Sequence, residues 1–73
     1  MMEENWIIAF KAEQMIQADV ARETLDQNGI AAVVVNKQDS LYPVFSRYEV
    51  HVLASDLVQA QTILANAEAF KQS

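Results

Sequence analysis

The residues best placed for chemistry are Glu49 and His51, which stand two apart in the run Tyr48, Glu49, Val50, His51, Val52, Leu53. Residues two apart in a strand share a face, so a carboxylate and an imidazole are set side by side. Such a pair can relay a proton or supply part of a metal site. A catalytic zinc takes three protein ligands and a structural zinc four. The chain has one His and no Cys. Glu49 and His51 therefore read as a polar or interfacial pair, and no catalytic residue, metal or cofactor is assigned.

A second group of reactive side chains lies between residues 37 and 47, where Lys37, Asp39, Ser40, Tyr42, Phe45 and Arg47 fall within a few positions of each other. Pro43 has no N–H to give to a sheet, which makes this segment a loop or an irregular edge. Leu41 and Phe45 are expected to fold back over the core. Lys37, Tyr42 and Arg47 are left as candidates for contact with a partner, since binding residues concentrate on loops held by a rigid scaffold and Arg and aromatic side chains favour interfaces.

The sequence lacks the glycine-rich GxxxxGK[ST] and GxGxxG loops, the HExxH metal motif and the GxSxG nucleophile turn. With a single Gly, a backbone cradle for phosphate is hard to build. These omissions point away from an enzyme.

The elements that must position these residues follow from periodicity. Trp6, Ile7, Ile8, Ala9 and Phe10 form a short aromatic and β-branched run, a strand that is apolar on both sides. Simple alternation groups Trp6, Ile8 and Phe10 on one side, with Ile7 and Ala9 on the other. Residues 11–28 contain no Gly or Pro and are rich in helix formers, which predicts a helix. Its core face is Met15, Ala18, Ala21, Arg22 and Leu25, and Ile16 and Val20 widen the apolar stripe. Asn28 and Gly29 end it, because Gly readily adopts the left-handed turn that closes a helix. Residues 30–35 are the second strand and residues 48–53 the third. Ser55 is the expected N-cap of a second helix, with Asp56 in its first turn. Leu57, Ala60, Leu64 and Ala67 give that helix its core stripe, flanked by Ile63 and Phe70. The order of elements repeats loosely, but no sequence repeat stands out.

Strand, helix, strand, strand, helix is the order of a split β-α-β arrangement. The expected fold is α+β, a ferredoxin-like two-layer sandwich. The third strand lies between the first two, and both helices cover one face. Residues 71–73 are too few for a fourth strand, so the first strand becomes an edge. Because the first two strands are apolar on both sides, some of their side chains must face outward from the uncovered side. A contiguous exposed apolar patch marks an interaction surface. The candidate interaction residues are therefore Trp6, Ile8, Phe10, Lys37, Tyr42, Arg47, Glu49 and His51.

The 73 residues are read as one domain spanning residues 1–73, with its core over about residues 6–70. A domain of this size buries only about 60% of its unfolded surface, and small domains often lean on a disulfide, a metal or another chain. With no Cys and one His, another chain is the expected support, whether a protein partner or a homo-oligomer. The net charge of −5 repels phosphate and argues against nucleic acid and anionic membrane surfaces. No apolar run reaches the roughly 20 residues of a membrane span. Residues 1–5 carry Glu3 and Glu4 where a signal peptide is basic, so a cytoplasmic location is expected.

Several of these residues also carry a family likeness. Ala18, Leu25 followed by Gly29, Ile30, Ala31 and Ala32, and the passage from Tyr48, Glu49, Val50, His51 and Val52 to Asp56, Leu57 and Ala60 resemble the family catalogued as domain of unknown function 2007 (DUF2007). Its members are described as signal-transducing proteins of prokaryotes. The likeness runs from about Trp6 to about Ala67. It implies a fold like that of the nitrogen-regulatory P-II (GlnB-like) proteins, and by analogy it makes residues 37–47 a contact loop. The loop has no Gly, a departure from the usual family pattern. The expected function is a small non-catalytic regulatory or adaptor domain that acts by protein–protein interaction or self-association. The alternative is a metabolite sensor that holds its ligand in a dimer cleft.

Overall fold

A computed structural model describes residues 5–37 and 47–67. In chain order the elements are strand β1 (Trp6–Ala12), helix α1 (Met15–Gln27), strand β2 (Ala32–Asn36) and strand β3 (Tyr48–Leu53). A single 3-10 turn (Ala54–Asp56) then leads into helix α2 (Leu57–Asn66). The sheet has the order β1-β3-β2, and β3 runs antiparallel to both neighbours. The architecture is the ferredoxin-like α+β sandwich expected from the order of elements.

The core lies between the sheet and the helices. Ala18, Ala21 and Leu25 of α1 and Ala60 and Leu64 of α2 are buried together with Val50 and Val52 of β3, Ala12 and Ile30. Alanines at the contact positions let both helix backbones approach the sheet closely. Leu25, Val50 and Val52 are the largest fully buried side chains.

The end of α1 shows how sequence sets the join to the sheet. Gly29 has φ +80°, a conformation that costs an L-residue with a Cβ about 1–2 kcal/mol. Its N–H donates to the Asp26 carbonyl at 3.0 Å, and the Ile30 N–H donates to the Leu25 carbonyl at 2.9 Å. This paired bonding is the Schellman arrangement, and the hydrophobic contact that accompanies it is made by Ile30 and Leu25, both in the core. Ile30 thus closes the helix and does not begin β2, which starts two residues later than periodicity predicts.

Three other features differ from expectation. Residues 11–14 do not join α1. Lys11 and Ala12 extend β1, pairing with Glu49 and Tyr48, and Ala12 is buried. Sheet pairing and burial outweigh the helix-compatible composition of this stretch. Ser55 makes no capping bond; it sits inside the 3-10 turn, and α2 begins after Asp56, which also forms no side-chain cap. Met15, Ile16 and Val20, expected in or beside the core stripe of α1, are exposed, Ile16 to 67%. Three small or medium side chains at spacings of three and four suffice to seat the helix, and the wider stripe faces solvent.

Candidate functional site: the open face of the sheet

The register defines the uncovered side. Ile8 of β1 and Val33 of β2 both oppose His51 of β3, and Lys11 and Val35 both oppose Glu49. Residues paired across a sheet project to the same side. The rows Ile8–His51–Val33 and Lys11–Glu49–Val35 therefore lie on the side away from Val50 and Val52, whose rows hold the core.

This face is largely apolar. Trp6, Ile8 and Val33 are exposed to 38%, 38% and 47%. Trp6, Val33, Val35 and His51 line a groove of about 350 Å³. Its walls come from the two outer strands, and the imidazole of the middle strand forms its floor. Among the described residues, apolar side chains on this side are covered by no other element of the chain.

His51 is held in place. Its Nε2 lies 2.9 Å from Glu49 Oε1, and both side chains are part-buried. A carboxylate can only accept, so the proton of this bond sits on Nε2. In the neutral ring Nδ1 is then an acceptor. The two-residue spacing seen in the sequence does bring the pair into contact, but among the described residues no three His, Cys, Asp or Glu side chains gather as a metal would require. Lys11 stands on the same side of the sheet, at its exposed edge.

Of the eight residues singled out from the sequence, the structure gathers Trp6, Ile8, Glu49 and His51 on this face. Phe10 is not among them. The pairing of β1 with β3 slips between Ile8 and Phe10, where Ala9 is inserted as a β-bulge. The extra residue reverses the alternation, so Phe10 opposes Val50 and packs on the core with Ala9. Lys37 and Arg47 are exposed at the base of the β2–β3 connection, where the Lys37 N–H donates to the Arg47 carbonyl at 2.7 Å. Tyr42, and Leu41 and Phe45 expected over the core, lie outside the described residues, as does Phe70. Val33 and Val35 complete the face, and the alternation of β2 against the polar positions of β3 carries the signal for them.

The helix layer holds a second feature. Thr24 Oγ1 donates to the Val20 carbonyl at 2.8 Å and Asn28 Nδ2 to the Thr24 carbonyl at 2.7 Å. In α2, Thr62 Oγ1 donates to the Val58 carbonyl at 2.9 Å and Asn66 Nδ2 to the Thr62 carbonyl at 3.0 Å. Val-x3-Thr-x3-Asn thus occurs once in each helix with the same bonds. Both copies border one groove of about 320 Å³. A comparison of the two helices at a fixed offset finds this repeat, which inspection of the whole chain passes over. The side-chain donors are largely turned inward onto their own helices, which suits them to closing helix ends.

The fold and the face together define a two-layer α/β scaffold with one sheet surface that no described element covers. The chain belongs to the DUF2007 family, whose model is described as "putative prokaryotic signal transducing protein" and matches residues 6–68. No curated protein and no solved structure is significantly similar to it. Among the described residues no helix is long and apolar enough to cross a membrane.

Proposed function

We propose that this chain is a non-catalytic regulatory or adaptor domain that signals by protein–protein contact through the open face of its sheet. The observation that carries this reading is the contiguous apolar patch of Trp6, Ile8 and Val33 around His51. Patches of this kind on small domains mark interaction surfaces. The family description agrees with a signalling role, and the exposed Lys37 and Arg47 stand at the end of the β2–β3 pairing. Among the described residues, the acid–base couple on this face is Glu49 with His51, committed to its own internal bond, which favours recognition over turnover.

The test is Val33→Glu, which places a charge at the centre of the patch on an exposed position. The folded state is checked by circular dichroism. Contact partners of the wild type, recovered by cross-linking in the native cell, are expected to disappear with the variant. Retention of every partner removes the open face from the function. A metabolite sensor is the second reading, favoured by the groove volume, which falls at the lower end of the range of small-molecule sites. A melting-temperature rise with a specific metabolite, abolished by Val33→Glu, supports it.

A further inference from the structure

We infer that β2 pairs with the β2 of a second copy of this chain, antiparallel and centred on Val34, so that two three-stranded sheets join into one of six strands. The surface involved is the outer edge of the sheet at β2, not the open face. The pairing stands whether or not that face docks a partner.

The ladder defines which backbone groups the edge offers. The Lys37 N–H donates to the Arg47 carbonyl at 2.7 Å, which sets the phase of the bonding between β2 and β3. In an antiparallel pair every second residue turns both its N–H and its C=O to the neighbour. Lys37, Val35 and Val33 therefore face β3, and Ala32 and Val34 turn their groups outwards from the sheet. Among the described residues, no backbone group bonds to Ala32 or Val34 from that side. The two edges of the sheet are unlike. β1 is interrupted at Ala9 and carries Lys11, devices that discourage another strand from pairing. β2 keeps an unbroken register over Ala32, Val33, Val34, Val35 and Asn36, with no bulge, proline or charge.

A second copy fits this edge because β2 is complementary to itself. With Val34 on a two-fold axis, its N–H and C=O meet those of Val34 in the other copy. Val33 then lies opposite Val35, and Ala32 opposite Asn36. β-branched residues paired across strands stabilise a sheet. Two such pairs fall on the open side here, and a third falls on the side of the core. Ala32, Val34 and Val35 are half-buried in the single chain, and Val33 is exposed to 47%, so each has surface left to cover. No described carboxylate lies on β2, so two chains of net charge −5 meet at a neutral seam. The contact is isologous and closes with two copies. Residues opposite each other project to the same side, so both open faces lie on one side of the joined sheet.

The experiment is amide hydrogen exchange by NMR on the full chain, dilute and at millimolar concentration, with sedimentation alongside. The expected result is a dimer in the concentrated sample. There the Ala32 and Val34 amides exchange about tenfold more slowly than in the dilute one, while those of Val33 and Val35, already bonded to β3, change little. Ala32→Pro removes an outward N–H that β3 does not use, at the first residue of an edge strand, where proline is tolerated. With its fold checked by circular dichroism, it should need about tenfold more protein to dimerise. If the variant does not fold, the wild-type amides decide alone. A chain that stays monomeric at millimolar concentration overturns the inference; if the same amides then slow only when another protein is added, the edge belongs to a foreign strand. A dimer whose Val34 amide exchanges as fast as in the dilute sample also overturns it and assigns the contact to another surface. So does a folded Ala32→Pro that dimerises like the wild type. Protection of the Val34 amide in the dilute monomer overturns it as well, since the chain itself then covers the edge.

Discussion

The two sides of the sheet are built from the same three strands but meet different surroundings. On the covered side, Val50 and Val52 are fully buried against Leu25 and the alanines of both helices. On the open side, one residue along the same strand, His51 sits among Val33, Val35 and Trp6, and neither α1 nor α2 packs there. The covered side is apolar because that is what holds the fold together. The open side is apolar without any such need, since a solvated face is normally polar on alternate positions. Side chains that the fold does not require to be apolar are the ones that point to another use.

Substitutions on either side can break or sharpen this contrast. The largest effect is expected for Leu25→Ala, which empties space between α1 and the sheet. It should cost about 3–4 kcal/mol in urea denaturation, against a total of roughly 5–10 kcal/mol for a chain of this length. A matched pair then compares the two sides directly. Val50→Thr places a hydroxyl in the core at constant shape and should cost about 1–3 kcal/mol. Val33→Thr makes the same change on the open face and should stay within about 0.5 kcal/mol. Equal losses for the two would show that the open face is covered in solution. Between them falls Gly29→Ala. A Cβ at Gly29 meets nothing within 4 Å, so the cost is purely that of the left-handed backbone, about 1 kcal/mol, read as a lowered melting temperature. The smallest effect is expected for Ser55→Ala, within about 0.5 kcal/mol. A true N-cap serine loses about 1 kcal/mol on that change, so a loss of this size would restore the capping role that the structure denies it.

Much of the fold was legible in the residues. Alternation in Tyr48–Leu53 placed β3 at its observed bounds, and Asn28 and Gly29 marked the end of α1 because only a left-handed turn serves there. The order of elements was enough for the sheet order. The site was legible in part. Glu49 and His51 were paired by spacing alone, and Trp6 and Ile8 by their surplus of apolar surface. Phe10 was misplaced because no Gly or Pro announces the bulge at Ala9; the slip is set by how β1 pairs with β3, which the local sequence does not encode. The exposure of Ile16 was hidden for a related reason. An apolar side chain at helical spacing looks the same whether the helix buries a narrow stripe or a wide one, and the width was decided by the small alanines that seat α1.

The bulge at Ala9 has a further consequence. An outer strand with evenly spaced N–H and C=O groups is a template on which copies of a chain can stack without limit, the first step towards fibrils. Trp6, Ile7, Ile8 and Phe10 are the kind of sequence that such stacking favours. The inserted residue throws the spacing out of step midway along β1 and twists the strand there. The protein can therefore keep an unusually greasy outer strand and still resist runaway polymerisation.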